Sequence, residues 1–173
     1  MVKKKITAKR VALLGVFAAA AVALSAAENM IPPLPFMPPG AKLGLSNIIT
    51  MFLSMNGMLI PSVFISLAKG GFSLLTRGVT AGAMSACGGL LSSLVIFLIA
   101  KNKKESLISL GITGAVSHNL AQLCVSFFIV GDTVFYYAPF LIIFAVISGS
   151  ITSLILKYIS TYATHILGGK DKL

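Results

Sequence analysis

Lys42, Lys69 and Arg77 are three cations in the middle of an apolar chain, each set at the edge of an apolar run. An ammonium is a compact point charge and a guanidinium offers a planar fork, so together they suit a phosphate or a carboxylate. The competing reading is ordinary snorkelling of the same side chains to lipid headgroups. A second polar set is Ser117, His118, Asn119 and Gln122. His118 and Gln122 are four residues apart and share a helical face, with Asn119 beside them. In a membrane helix such groups either bond to neighbouring helices or line a polar pocket. Uncharged amides and an imidazole suit the edge of a heteroaromatic ring or a sugar chain. Asn47 and Thr50 are weaker candidates of the same kind, and Asn56 reads as a turn residue.

Other chemistries lack their residues. The four acidic residues are Glu28, Glu105, Asp132 and Asp171, too scattered for paired general acid–base work. There is no Walker motif. His118 and His165 lie far apart, and Cys87 and Cys124 form no CxxC, so no metal site is expected and both cysteines read as packing residues. No catalytic residue and no enzymatic activity are expected. The formal charge of +10 comes without a basic stripe interleaved with aromatics, which argues against a nucleic-acid partner.

The elements that would position these groups are membrane helices. Hydrophobic residues make up 57% of the chain and charged ones 10%, against about 25% charged in a soluble domain. The expectation is an all-α integral membrane protein, residues 1–173 forming one domain with the lipid bilayer around it. Six segments are read, at about 9–28, 41–55, 58–69, 79–100, 106–130 and 137–158, with no cleavable signal peptide. The second, ~22 Å long, falls short of a ~30 Å hydrocarbon layer and must tilt or start part-way down. The third is read as interrupted by Pro61 and closed by Lys69, Gly70 and Gly71, with 70–78 as a short interfacial helix. Residues 30–40 hold five prolines (Pro32, Pro33, Pro35, Pro38, Pro39) and form a stiff, greasy outer connector, either a lid over a cavity or an interfacial turn.

In the first segment Gly15, Ala19, Ala23 and Ala27 recur every fourth residue, a row that lets a helix approach its own bundle or a partner closely. The basic residues set the orientation. Lys3, Lys4, Lys5, Lys9, Arg10, Lys101, Lys103, Lys104, Lys157, Lys170 and Lys172 fall on one side, leaving only Lys42, Lys69 and Arg77 on the other. Cytoplasmic loops carry such an excess, so both termini are expected in the cytoplasm of a bacterium's inner membrane.

The block PPLPFMPPGAKLGLSNIITMFL (32–53) and the stretch SHNLAQ (117–122) resemble the Gx transporter family, also catalogued as heptaprenyl diphosphate synthase component I. That family resembles the S components of energy-coupling-factor vitamin transporters, six-helix proteins with an outward site roofed by the first loop. The resemblance implies that Gly15, Ala19 and Ala23 face a transmembrane coupling subunit working with ATPases. It also associates the family with membrane flavoprotein electron-transfer systems, and so implies a flavin, FMN or riboflavin, as the transported solute. The phosphate of FMN would meet Lys42, Lys69 or Arg77; Asn47, His118, Asn119 and Gln122 would line the site; Phe36 or Phe72 would stack on the ring. The chain departs from the catalogue name in one respect: prenyl synthases hold magnesium with Asp-rich clusters, and here there are only Asp132 and Asp171. Two further readings stand beside transport, a non-catalytic membrane subunit supporting prenyl diphosphate synthesis and a membrane anchor with no ligand.

Overall fold

A computed structural model describes residues 8–30, 44–102 and 105–166. Lys42, Phe36 and residues 31–40 of the proline-rich connector lie outside the described residues. The described chain is helical: α1 (Ala8–Met30), α2 (Asn47–Met55), α3 (Leu59–Arg77), α4 (Val79–Ala100), α5 (Leu107–Val130), a 3₁₀ helix (Asp132–Tyr137) and α6 (Ala138–Ile166). All but α2 and the 3₁₀ helix supply segments long and apolar enough to cross a bilayer, with mean hydropathies from 1.3 to 2.2. The nine residues of α2 reach only ~13 Å and cannot cross alone.

Polarity is turned inside out. Leu75, Phe128 and Ile60 are more than four-fifths exposed, while Ser54, Ser62, Ser66, Ser93 and Ser153 are all but sealed from solvent. Hydrocarbon accepts leucine and phenylalanine, so hydroxyls gather where they can bond to one another. Ser62 is the knot between α2, α3 and α4: it donates to the Thr50 carbonyl at 2.9 Å, accepts from Ser54 at 2.8 Å and shares a 2.8 Å bond with Ser93. Ser66 meets Ser93 at 3.3 Å. Each such bond stabilises a membrane bundle by about 0.6 kcal/mol on average.

Neighbouring helices run antiparallel. Ser62 opposite Ser93 and Gly70 opposite Ala86 fix α3 against α4; Gly88 opposite His118 fixes α4 against α5; Gly111 opposite Gly149 fixes α5 against α6. Gly78, at φ 90°, makes the one-residue turn from α3 to α4, a backbone region that L side chains avoid. The Phe17 and Phe52 rings pack edge to face at 6.0 Å, and Glu28 meets Leu45 and Ser46, so α2 runs antiparallel to α1 as well. Consequently α1 and α3 are parallel and their C-terminal ends meet, Arg77 donating to Asn29 at 3.3 Å. Helix α2 is the buried centre, contributing Ile48, Met51, Phe52 and Leu53 to a core cluster with Ile65, Ile96 and Leu156.

Several sequence expectations need correction. The third segment is neither interrupted at Pro61 nor closed at Gly70; α3 is continuous to Arg77 and absorbs the expected interfacial helix 70–78. Pro61 stands in the first turn, where its missing N–H has no intrahelical partner to lose. Gly70 and Gly71 do not break the helix because Gly70 is where α4 docks: a Cβ there would stand 2.7 Å from that of Ala86. The second segment starts part-way, its helix beginning only at Asn47, and α6 continues past 158 to Ile166. Cys87 and Cys124 are exposed on the apolar exterior, not packed inside.

Candidate functional site

The bundle encloses a cavity of about 80 Å³, lined from all six α-helices and from the turn before α2. Its most unusual wall residue is Lys69. Because α3 is continuous, Lys69 stands ten residues into the helix, ~15 Å from its start and near its middle. The side chain is 3% exposed, and its Nζ donates to Asn47 Oδ1 at 2.6 Å. The expectation that Lys69 closes the third segment at the edge of its apolar run is therefore corrected, since the cation lies inside the bundle. Arg77, two turns further along the same face of α3, is exposed and lines the mouth.

Among the described residues Glu28 is the only carboxylate in the wall, and the turn before α2 holds it. Its Oε1 accepts from the Leu45 N–H at 2.7 Å, and its Oε2 accepts from the Ser46 hydroxyl at 3.0 Å and the Ser46 N–H at 3.4 Å. Negative charge at the start of a helix complements its orphan N–H groups and dipole. Glu28 thus fixes where α2 begins and, through α2, where Asn47 points. Among the described residues the wall holds two basic side chains, Lys69 and Arg77, and one carboxylate.

The opposite wall is built by α5. His118, Asn119 and Gln122 all border the cavity, as does Asn47, so the two polar sets singled out in the sequence meet in one space. Asn119 also donates to the Leu141 carbonyl of α6 at 2.9 Å, and so combines lining with interhelical bonding. Ser117 turns back on its own helix, donating to Thr113 O at 2.7 Å. Phe72 is not among the lining residues. On α1, Gly15, Ala19 and Ala23 face outward, and a Cβ on Gly15 would meet nothing within 4 Å.

Gly88 is a residue that sequence reasoning missed. A Cβ at this position would stand 2.7–2.8 Å from three atoms of the His118 ring, so the bare glycine sets where the imidazole lies. We predict that Gly88→Ala lowers stability by about 1–2 kcal/mol, as overpacking does. Adding His118→Ala should recover part of that loss by removing the clashing ring. Thermal unfolding of the four proteins of this double-mutant cycle checks it, and strictly additive losses would show that the two residues are not coupled.

A family model described as heptaprenyl diphosphate synthase component I matches residues 17–159. No curated protein and no solved structure matches the chain.

Proposed function

Belonging to the heptaprenyl diphosphate synthase component I family, this multi-pass membrane protein is, we propose, a solute-binding protein of the transporter kind that holds an anionic group at Lys69 and has no catalytic step of its own. The observation that carries the reading is the near-complete burial of that ammonium in a cavity wall at membrane depth. Ionisable groups there are costly and mark pathways and binding sites. Asn47 orients the cation, Arg77 adds a second at the mouth, and His118, Asn119 and Gln122 offer neutral donors and acceptors to the rest of the solute.

Six passes with both termini in the cytoplasm of a bacterial inner membrane fit this reading. Since α1 and α3 run parallel, the chain has to turn back between them, and α2, antiparallel to both, supplies nine helical residues of that return. The lysine-rich ends then obey the positive-inside bias. The outward-facing row Gly15, Ala19 and Ala23 suits a transmembrane coupling subunit with ATPases, as in S components.

Flavins are the solutes to test first, FMN placing its phosphate at Lys69. A water occupies roughly 10–15 Å³ of such space, so about 80 Å³ holds only a handful of waters. A flavin therefore enters only when the helices part. The family's name favours a second reading, a membrane subunit accessory to prenyl diphosphate synthesis, in which a diphosphate meets the same cations. Titrating the purified protein with riboflavin, FMN and heptaprenyl diphosphate separates the readings. We expect FMN to bind at least roughly 10-fold more tightly than riboflavin, the equivalent of one charged hydrogen bond. Binding of the prenyl diphosphate with both flavins ignored selects the second reading, and no binding of any of the three overturns the flavin assignment and the accessory role alike.

A further inference from the structure

On three helices the residues lining the cavity change character at one depth. Along α6 the wall residues Ser148 and Thr152 are followed, on the same face one turn later, by Leu156, which is fully buried. Along α4, Ser85 and Ser92 give way to Ile96, 3% exposed. Along α5, which runs the other way, the wall residue Gly114 lies one turn past Leu110, 5% exposed. Ile96, Leu110 and Leu156 belong to one core cluster, with Ile99, Leu107 and Ile155 packed against it.

The depth can be measured along the helices. The lining positions on α4 run from Ala81 to Ile96, ~22 Å, and leave only the last turn, ~6 Å, before the helix ends beside Lys101. On α5 the wall begins at Gly111, again ~6 Å from the helix start. The cavity therefore reaches most of the way through the bundle from the Arg77 mouth, and a thin aliphatic layer separates it from the far side. A constriction of this kind stops ions and hydrated solutes by dewetting. Next to it α5 and α6 touch through glycine backbone at Gly111 and Gly149, beside the Ser153 hydroxyl of α6, which donates to the Leu107 carbonyl of α5 at 3.1 Å.

We propose that the cavity is the open half of a solute path running through the bundle between α4, α5 and α6, and that Ile96, Leu110 and Leu156 form the seal that closes it toward the end carrying Lys101 and Lys157. The inference rests on the solute-binding reading and adds the route by which the solute leaves. Solute passes when α5 and α6 separate from α4 by enough to part the three side chains, leaving the Lys69 wall on α3 in place.

The test is cysteine accessibility in vesicles, in a Cys87→Ala/Cys124→Ala background, with a charged, membrane-impermeant methanethiosulfonate applied to one side at a time. Ser148→Cys and Ser92→Cys should react from the Arg77 side only, Leu156→Cys from neither, and Lys157→Cys from the lysine-rich side. In the Ser92→Cys protein, Leu110→Ala with Leu156→Ala should speed labelling from the lysine-rich side at least tenfold. Should that double variant fail to fold, Leu156→Ala alone or the α6 scan by itself still decides. Fast labelling of Leu156→Cys from either side, or a folded seal variant whose Ser92→Cys stays closed to the lysine-rich side, overturns the path. Seal failure with FMN binding intact removes the path alone; normal one-sided labelling with no solute bound removes the binding reading instead.

Discussion

Gly149→Leu is expected to yield almost no folded protein. Gly149 and Gly111 are where α5 and α6 touch backbone to backbone: a Cβ on Gly149 would stand 2.6 Å from the Gly111 carbonyl oxygen and 2.7 Å from Cα of Ile112. Neither neighbour is a flexible side-chain tip, so the helices must separate. Separation also breaks the interhelical bond from the Ser153 hydroxyl of α6 to the Leu107 carbonyl of α5, at 3.1 Å. Ordinary overpacking costs about 1–3 kcal/mol, and a backbone collision with a lost interhelical hydrogen bond lies at or above the top of that range. Gly15→Leu is the matched control, since nothing stands within 4 Å of a Cβ there. It should fold with its melting temperature unchanged or raised, because glycine is a poor helix former. Size-exclusion profiles and thermal unfolding of the two variants in detergent check the contrast, and a normally folded Gly149→Leu protein would refute the close packing of α5 on α6.

Lys69→Gln carries the largest expected effect on binding. Glutamine keeps a donor near Asn47 Oδ1 and most of the side-chain volume but removes the charge. The bundle should hold, because the exchange also relieves the cost of keeping a cation at membrane depth. Binding of an anionic solute should fall about 10- to 100-fold, the equivalent of about 1.5–3 kcal/mol for a charged hydrogen bond. A neutral solute such as riboflavin should lose far less. Equal losses for FMN and riboflavin would mean that the ammonium does not read the phosphate.

Much of this site was legible before any coordinates because lipid penalises polar side chains so heavily. Asn47, Lys69, Arg77, His118, Asn119 and Gln122 stood out against an apolar background, and all six border one cavity. What the chain did not reveal was depth and proximity. Gly70 and Gly71 read as a helix end, which moved Lys69 to the mouth; only the docking of α4 on Gly70 makes α3 continuous. The bond between Lys69 and Asn47 joins residues 22 apart on separate helices, and no helical periodicity encodes it. Glu28 stood out only as one of four scattered carboxylates, and its role in fixing the start of α2 depends on the antiparallel pairing of α1 and α2. Gly88, Gly111 and Gly149 went unnoticed because a glycine in an apolar helix signals close approach without naming what approaches.

Native mass spectrometry of protein released from mild detergent tests most directly whether the cavity holds an anionic solute. For the unaltered chain we expect one small non-lipid molecule per protein, bearing a phosphoryl or carboxyl group, and for Lys69→Gln the bare mass. An unaltered protein that carries no such molecule, or a Lys69→Gln protein that retains it in full, would contradict the assignment of Lys69 as the anion-binding group.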